Sequence, residues 1–179
     1  MLMAEEKLLQ RQTALVTLNA ALLGQALPVL EEIDGASYSG VSSIGGQMRH
    51  VIEFYECFLD GLSSARIDYD ARRRDLVLEQ SRPAAIGRVQ ALIGRLTTEP
   101  KLRGDGAIFV RMEDAAAVGL AEQYLASSIG RELQALSSHT IHHFALIAMT
   151  LRAMGRAVDP DFGVSPSTLR HRAELEEAA

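Results

Sequence analysis

The sequence has no tryptophan, a single cysteine and no basic excess, and what is scarce narrows the reading before any motif is considered. One cysteine, Cys57, excludes an intrachain disulfide and fits a reducing compartment. Lys and Arg number 18 against 23 Asp and Glu, for a net charge of −5, so there is no electrostatic reason to expect a nucleic-acid partner. The run Arg72-Arg73-Arg74 is interleaved with Asp68, Asp70 and Asp75, and it reads as a solvated charged face rather than an anion site. Uninterrupted apolar runs are also missing. The apolar stretch over 14–30 is broken by Thr17, Asn19, Gln25 and Pro28 and preceded by Glu5 and Glu6, so neither a signal peptide nor a bilayer-spanning segment is predicted. The expectation is a soluble, cytoplasmic protein without a membrane partner.

What is present is helical periodicity. At 179 residues and 47% hydrophobic content the chain suffices for one domain over 1–179. Leu8, Leu15, Leu18, Leu22, Leu27 and Leu30 predict a helix over 5–33, followed by a loop through Gly35, Ser37, Ser39 and Gly40. A second helix is predicted from an N-cap at Ser42 or Ser43 to Leu62, and a third from Ser81 and Pro83 to Leu96. Alternation around Ile108 to Met112 predicts a short extended stretch near 107–112, with a hairpin about Asp105-Gly106. A fourth long helix is predicted over about 127–154, stopped by Gly155, and Ser167 is expected to cap a short C-terminal helix. Four long apolar helices with loops of varied length predict an all-α fold, an antiparallel four-helix bundle. On the second helix, Tyr55, Leu59 and Leu62 compete with Phe54 and Phe58 for the core, and the losing side is expected to form a homodimer interface.

Chemistry is carried by histidines. His139 and His143 are one helical turn apart, so their rings leave one face close enough to share a cation, and His50 offers a third imidazole from another helix. Three imidazoles with an open fourth position suit a catalytic divalent metal, yet spacing alone equally allows hydrogen-bonded core histidines. His142 points about 100° away from His143 and is not expected in the same set. Glu53, one turn after His50, is either a carboxylate partner of the site or an exposed helix residue. Arg131-Glu132 is either a buried ion pair or a solvated one. Cys57 reads as core packing and His171 as a surface residue.

The segment from Ser43 through Gln47 and His50 to Glu53-Phe54-Tyr55 resembles the DinB-like family. So do Arg131-Glu132-Leu133, Ser138-His139-Thr140-Ile141-His142-His143-Phe144, Asp68-Tyr69-Asp70-Ala71-Arg72-Arg73-Arg74-Asp75, and the tail from Phe162-Gly163 to Leu169-Arg170. The likeness covers most of the chain from about residue 40. It implies an up-down-down-up four-helix bundle holding a divalent metal, zinc or nickel, on three histidines, roles that carry over to His50, His139 and His143. Members with known activity include low-molecular-weight thiol S-transferases and a mycothiol-dependent isomerase, and homodimers are frequent. Chains of this kind often carry a further histidine where this one has Gln47, which leaves an open coordination position or an amide ligand there. The resulting expectation is a metal-dependent, S-transferase-like enzyme acting on a small-molecule substrate, with a low-molecular-weight thiol as a further cofactor. The alternative is a non-catalytic bundle with a structural or vestigial metal, acting through protein association. A catalytic site would keep an exchangeable position, whereas a structural zinc is usually closed by four protein ligands.

Overall fold

The leucine stripe of the first segment forms α1 (Leu2–Glu32), whose Leu22, Leu23, Ala26 and Leu30 are buried in the core. The structure is a computed structural model that describes residues 2–40, 44–112 and 123–178. Three more long helices follow: α3 (Ile44–Gly61), α5 (Arg82–Thr98) and α6 (Ile129–Ala153). Both α1 and α3 pack against both α5 and α6, so the fold is mostly helical around one core. Short helices α2 (Gly35–Ser39), α4 (Leu76–Gln80) and α7 (Pro166–Glu177) complete the seven α-helices of the described residues. The expected caps at Ser42 and Ser43 lie outside the described residues.

Local chemistry sets the ends of these elements. Ser81 caps α5 with Pro83 in its first turn, and Ser128 caps α6, where its hydroxyl accepts from the Arg131 backbone N–H at 3.3 Å. Gly155, at φ +73°, ends α6 in the left-handed conformation a glycine adopts without strain. Three expectations are corrected. The segment after α1 is a helical turn, α2, because Asp34 accepts from the Ser37 backbone N–H at 2.8 Å and Tyr38 is buried with its hydroxyl donating to the Leu78 carbonyl. The cap of α7 is Ser165, which accepts from the Thr168 backbone N–H at 3.2 Å, and Ser167 is already helical.

The third correction concerns the extended segment. Strand β2 (Ala107–Arg111) exists, but Asp105-Gly106 turns no hairpin. β2 lies between β1 (Arg66–Asp68), parallel to it, and β3 (Leu125–Ser128), antiparallel to it. Asp105 instead accepts from the Gly130 backbone N–H at 2.7 Å and pairs with Arg11, because the unpaired amides of a helix start attract a carboxylate.

Helix α1 also departs from expectation. By length and composition it is apolar enough to cross a membrane, with a mean hydropathy of 1.6 in its best window. Its inner face nonetheless packs on α5 and α6.

One buried polar network joins three long helices. Asn19 of α1, fully buried, donates to the Leu133 carbonyl of α6 at 3.0 Å and accepts from the Tyr55 hydroxyl of α3 at 2.7 Å. The Thr140 hydroxyl of α6 lies 3.1 Å from that same phenol. Buried polar groups are costly when unpaired, so this network fixes how far α1, α3 and α6 slide past one another. Two glycines hold flanking segments close. A Cβ on Gly45 would stand 2.0 Å from the Glu79 carbonyl oxygen, and Gly163 sits at φ +72° against the Phe144–Ala145 backbone of α6. The tail is thereby clamped beside His143, with Phe162 stacked on Phe144 at 4.9 Å.

Tyr55→Phe should destabilise the fold by about 1–3 kcal/mol, since Asn19 and Thr140 lose a partner in a dry site. Urea denaturation checks this, and an unchanged midpoint would show that the network does not secure the helices.

Candidate metal centre

The register set by Tyr55 and Thr140 brings the predicted histidines together. His50 lies on α3 five residues before Tyr55, and His139 and His143 flank Thr140 on α6. Their ring centroids are 4.9 Å apart for His50–His139, 4.6 Å for His50–His143 and 4.4 Å for His139–His143. One nitrogen of each lies within 4.8 Å of the others. Phe54 closes one side, 4.7 Å from the His50 ring and 4.2 Å from that of His139.

All three rings are held neutral. Burial pushes His50 down to about 4, aided by His143 and Arg72; it pushes His139 to about 3, aided by His143 and His50; and it pushes His143 to about 4, aided by His142. Neutral imidazole is the ligating form, so the cluster presents lone pairs rather than charges at neutral pH.

The surrounding contacts test whether a cation fits. The Nε2 of His139 is buried without a hydrogen-bond partner, which a bound cation would supply. The Nδ1–H of His143 is directed at the Gln47 amide oxygen, an arrangement that leaves the other ring nitrogen as the lone-pair donor. Gln47, expected to leave a coordination position open or fill it weakly, therefore serves as the orienting partner of a histidine. At His50 the outer contact has opposite character: Arg72 places a guanidinium nitrogen 3.0 Å from Nδ1 and lies over the Phe54 ring at 4.7 Å. The solvated-face reading of the arginine run is thus wrong for Arg72. Sequence reasoning missed it because the run alternates with carboxylates, and only the 3-10 turn Tyr69–Ala71 delivers this one side chain to the site. The donor set suits a borderline divalent cation: His139 has an unsatisfied buried nitrogen, His143 presents the nitrogen opposite its Gln47 contact, and His50 joins them when the Arg72 guanidinium leaves Nδ1, since a neutral ring accepting there carries its proton on Nε2.

Other predicted residues fall elsewhere. Glu53 is buried and accepts from the Asp75 backbone N–H at 2.6 Å and from Arg49 at 3.4 Å, so it anchors the turn that carries Arg72 rather than touching a histidine. Cys57 is half-buried beside Asp60 and Asp68, its thiol pushed up to about 11 by burial, and it lines a different, small cavity. His142 is exposed, and His171 lies on the surface 4.0 Å from Glu174. Arg131 and Glu132 separate: Arg131 is exposed, whereas Glu132 is buried and accepts from Tyr69 at 2.9 Å and from Ser127 at 2.6 Å.

A cavity of about 690 Å³ opens against His139, with Phe54, Tyr69, Met112, Glu132 and His142 in its wall. A larger one of about 910 Å³ lies between the end of α1 and the segment after α6 and contains no histidine. Proximity to the imidazoles makes the smaller cavity the relevant one.

No family model matches the sequence, and no solved structure matches it. It is 33% identical over 105 residues to FK506-binding protein 5 of Rhizopus delemar. That match takes in 59% of this chain and spans 27% of the length of the fungal protein.

Two outcomes follow from this electrostatic arrangement. Arg72→Gln should raise affinity for divalent cobalt on the order of tenfold, because it removes a like charge beside the site and frees His50 Nδ1. Titration followed by absorbance checks this, and weaker binding would instead give Arg72 a supporting role. In chelator-treated protein, the depressed imidazole values mean that the unfolded chain takes up protons the folded chain refuses. The stability they contribute is complete above the ordinary imidazole value near 6.5 and is lost as pH falls toward about 4. The urea midpoint should therefore fall between pH 7 and pH 5, and a flat profile would contradict the burial of neutral rings.

Proposed function

We propose that this chain is a DinB-like four-helix bundle of up-down-down-up topology whose His50, His139 and His143 hold zinc or nickel, and that it is a metal-dependent enzyme of thiol S-transferase type. The observation that carries the reading is the convergence of three neutral imidazoles from α3 and α6, one with an unpartnered buried nitrogen, beside a cavity large enough for a small molecule. The shared pairing of α1 and α3 with α5 and α6 supports the bundle, and the sheet is an addition to it.

When bound, a divalent cation supplies Lewis acidity that lowers the pKa of a thiol. The protein's own residues do the rest. Gln47 fixes the ring of His143, and Phe54 shields the rings of His50 and His139. Arg72 adds positive charge beside the cluster, which favours a ligand bearing an anionic sulfur. The transfer forms a sulfur–carbon bond as the leaving group departs with its electron pair, while the thiol proton passes to solvent. Cys57 takes no part, since its thiol is held protonated away from the histidines. Three protein ligands with a cavity beside them favour this reading over a structural metal closed by four ligands.

The reading includes a cytoplasmic setting and a homodimer, although not through the face first expected. Phe54, Tyr55, Phe58, Leu59 and Leu62 are all buried within the chain, because α3 packs on α5, α6 and the short α4 together. A dimer would have to use another surface, such as the exposed Met149 side of α6.

His139→Ala should abolish most metal uptake and His142→Ala little, because His139 converges with both His50 and His143, whereas His142 touches only the His143 ring and lies outside the three-nitrogen set. Metal analysis of the purified variants decides this, and equal losses would refute the ligand set. Thiol transfer to a generic electrophile should be lost on chelation and restored by metal. Activity indifferent to chelation would refute the metal-dependent enzyme.

A further inference from the structure

The wall of the 690 Å³ cavity contains a buried carboxylate, Glu132, with no ion-pair partner among the described residues. Glu132 is 6% exposed, and its two oxygens accept from the hydroxyls of Ser127 and Tyr69. Among the described residues no guanidinium or ammonium pairs with it; Arg131 lines the same cavity but is exposed and makes no ion pair with Glu132. A buried carboxylate usually has a cationic partner or becomes protonated. Two neutral donors occupy only part of its capacity, since an ionised carboxylate offers about four lone-pair positions.

The surroundings suit a cation. Tyr69 stacks on Phe54 with centroids 5.0 Å apart, and both rings face the cavity, so aromatic surface lies next to the carboxylate. Tyr69 is kept a neutral donor, its ionisation pushed far up by burial and by Glu132 itself. Glu132 precedes His139 by seven residues on α6, two helical turns along one stripe, or about 10 Å of rise. Glu132 and His139 therefore stand about two turns apart in the wall of one cavity, and His50 and His143 adjoin that wall through the His139 ring.

We propose that Glu132 is a specificity residue that reads a primary ammonium on the small thiol this site accepts, so that the ligand carries its sulfur at the three-histidine end and its amine at the Glu132 end. The proposal rests on the reading of His50, His139 and His143 as a metal site. It names the ligand class more narrowly: an aminothiol whose two groups are separated by a span comparable to two helical turns. Phe54 and Tyr69 flank the path between the two ends.

The test uses cobalt-loaded full-length protein titrated with ω-aminohexanethiol, ω-hydroxyhexanethiol and hexanethiol, read by the sulfur-to-cobalt charge-transfer absorption. The aminothiol should bind at least about tenfold more tightly than the hydroxythiol, as a charge-assisted hydrogen bond replaces a neutral one. In Glu132→Gln that preference should vanish while hexanethiol affinity and the cobalt d–d bands stay unchanged. Equal affinity of the amino and hydroxy compounds in the wild-type protein, with the cobalt bands present, would overturn this proposal alone, and the comparison needs no variant to fold. A preference that persists in Glu132→Gln would also overturn it. Failure of the wild-type protein to bind cobalt at all would overturn the metal reading and this proposal with it.

Discussion

The fold of the site depends on one buried hydrogen-bond junction, where Asn19, Tyr55 and the Leu133 carbonyl meet beside Thr140. Apolar packing alone tolerates small slides between helices, since leucine and isoleucine surfaces are similar from turn to turn. A phenol and an amide in a dry core do not tolerate them, because each displaced donor or acceptor loses its partner. His50 is tied to Tyr55 by five residues of helix, and His139 and His143 bracket Thr140, so the junction that aligns the helices also aligns the imidazoles. Structural economy of this kind puts the site on rigid elements rather than loops.

The second constraint is electrostatic. Three buried imidazoles with ring centroids 4.4–4.9 Å apart, walled by Phe54, do not hold protons near neutral pH. Such a cluster has lone pairs to share and one buried nitrogen with nothing to share with. Gln47 and Arg72 then differentiate the rings from outside, one accepting from His143 and the other donating to His50. Glu132 lies two turns before His139 on α6, in the wall of the same cavity and beside Arg131.

Much of this was legible in the sequence, for physical reasons that can be named. The long helices declared themselves because their leucines follow a helical period over many turns, and the histidine set followed from one-turn spacing combined with the resemblance to the DinB-like family. The hairpin at Asp105-Gly106 was misread because Asp105 is engaged by the start of α6, a partner 25 residues away. The exposed side expected on α3 was misread because α4 and the neighbouring long helices cover it, and local periodicity contains no information about how many neighbours a helix has. Arg72 and Glu132 were hidden for a related reason. Charged residues look alike in sequence whether solvated or buried, and only the 3-10 turn at Tyr69 and the strand leading into α6 bring Arg72 to His50 and Ser127 to Glu132.

X-ray absorption at the zinc edge of the reconstituted wild-type protein addresses the central claim most directly. Convergence of His50, His139 and His143 on one ion predicts a single zinc per chain whose fine structure requires three imidazole rings, together with a lighter or exchangeable fourth ligand. A spectrum fitted by oxygen ligands alone, or by one imidazole, would contradict it.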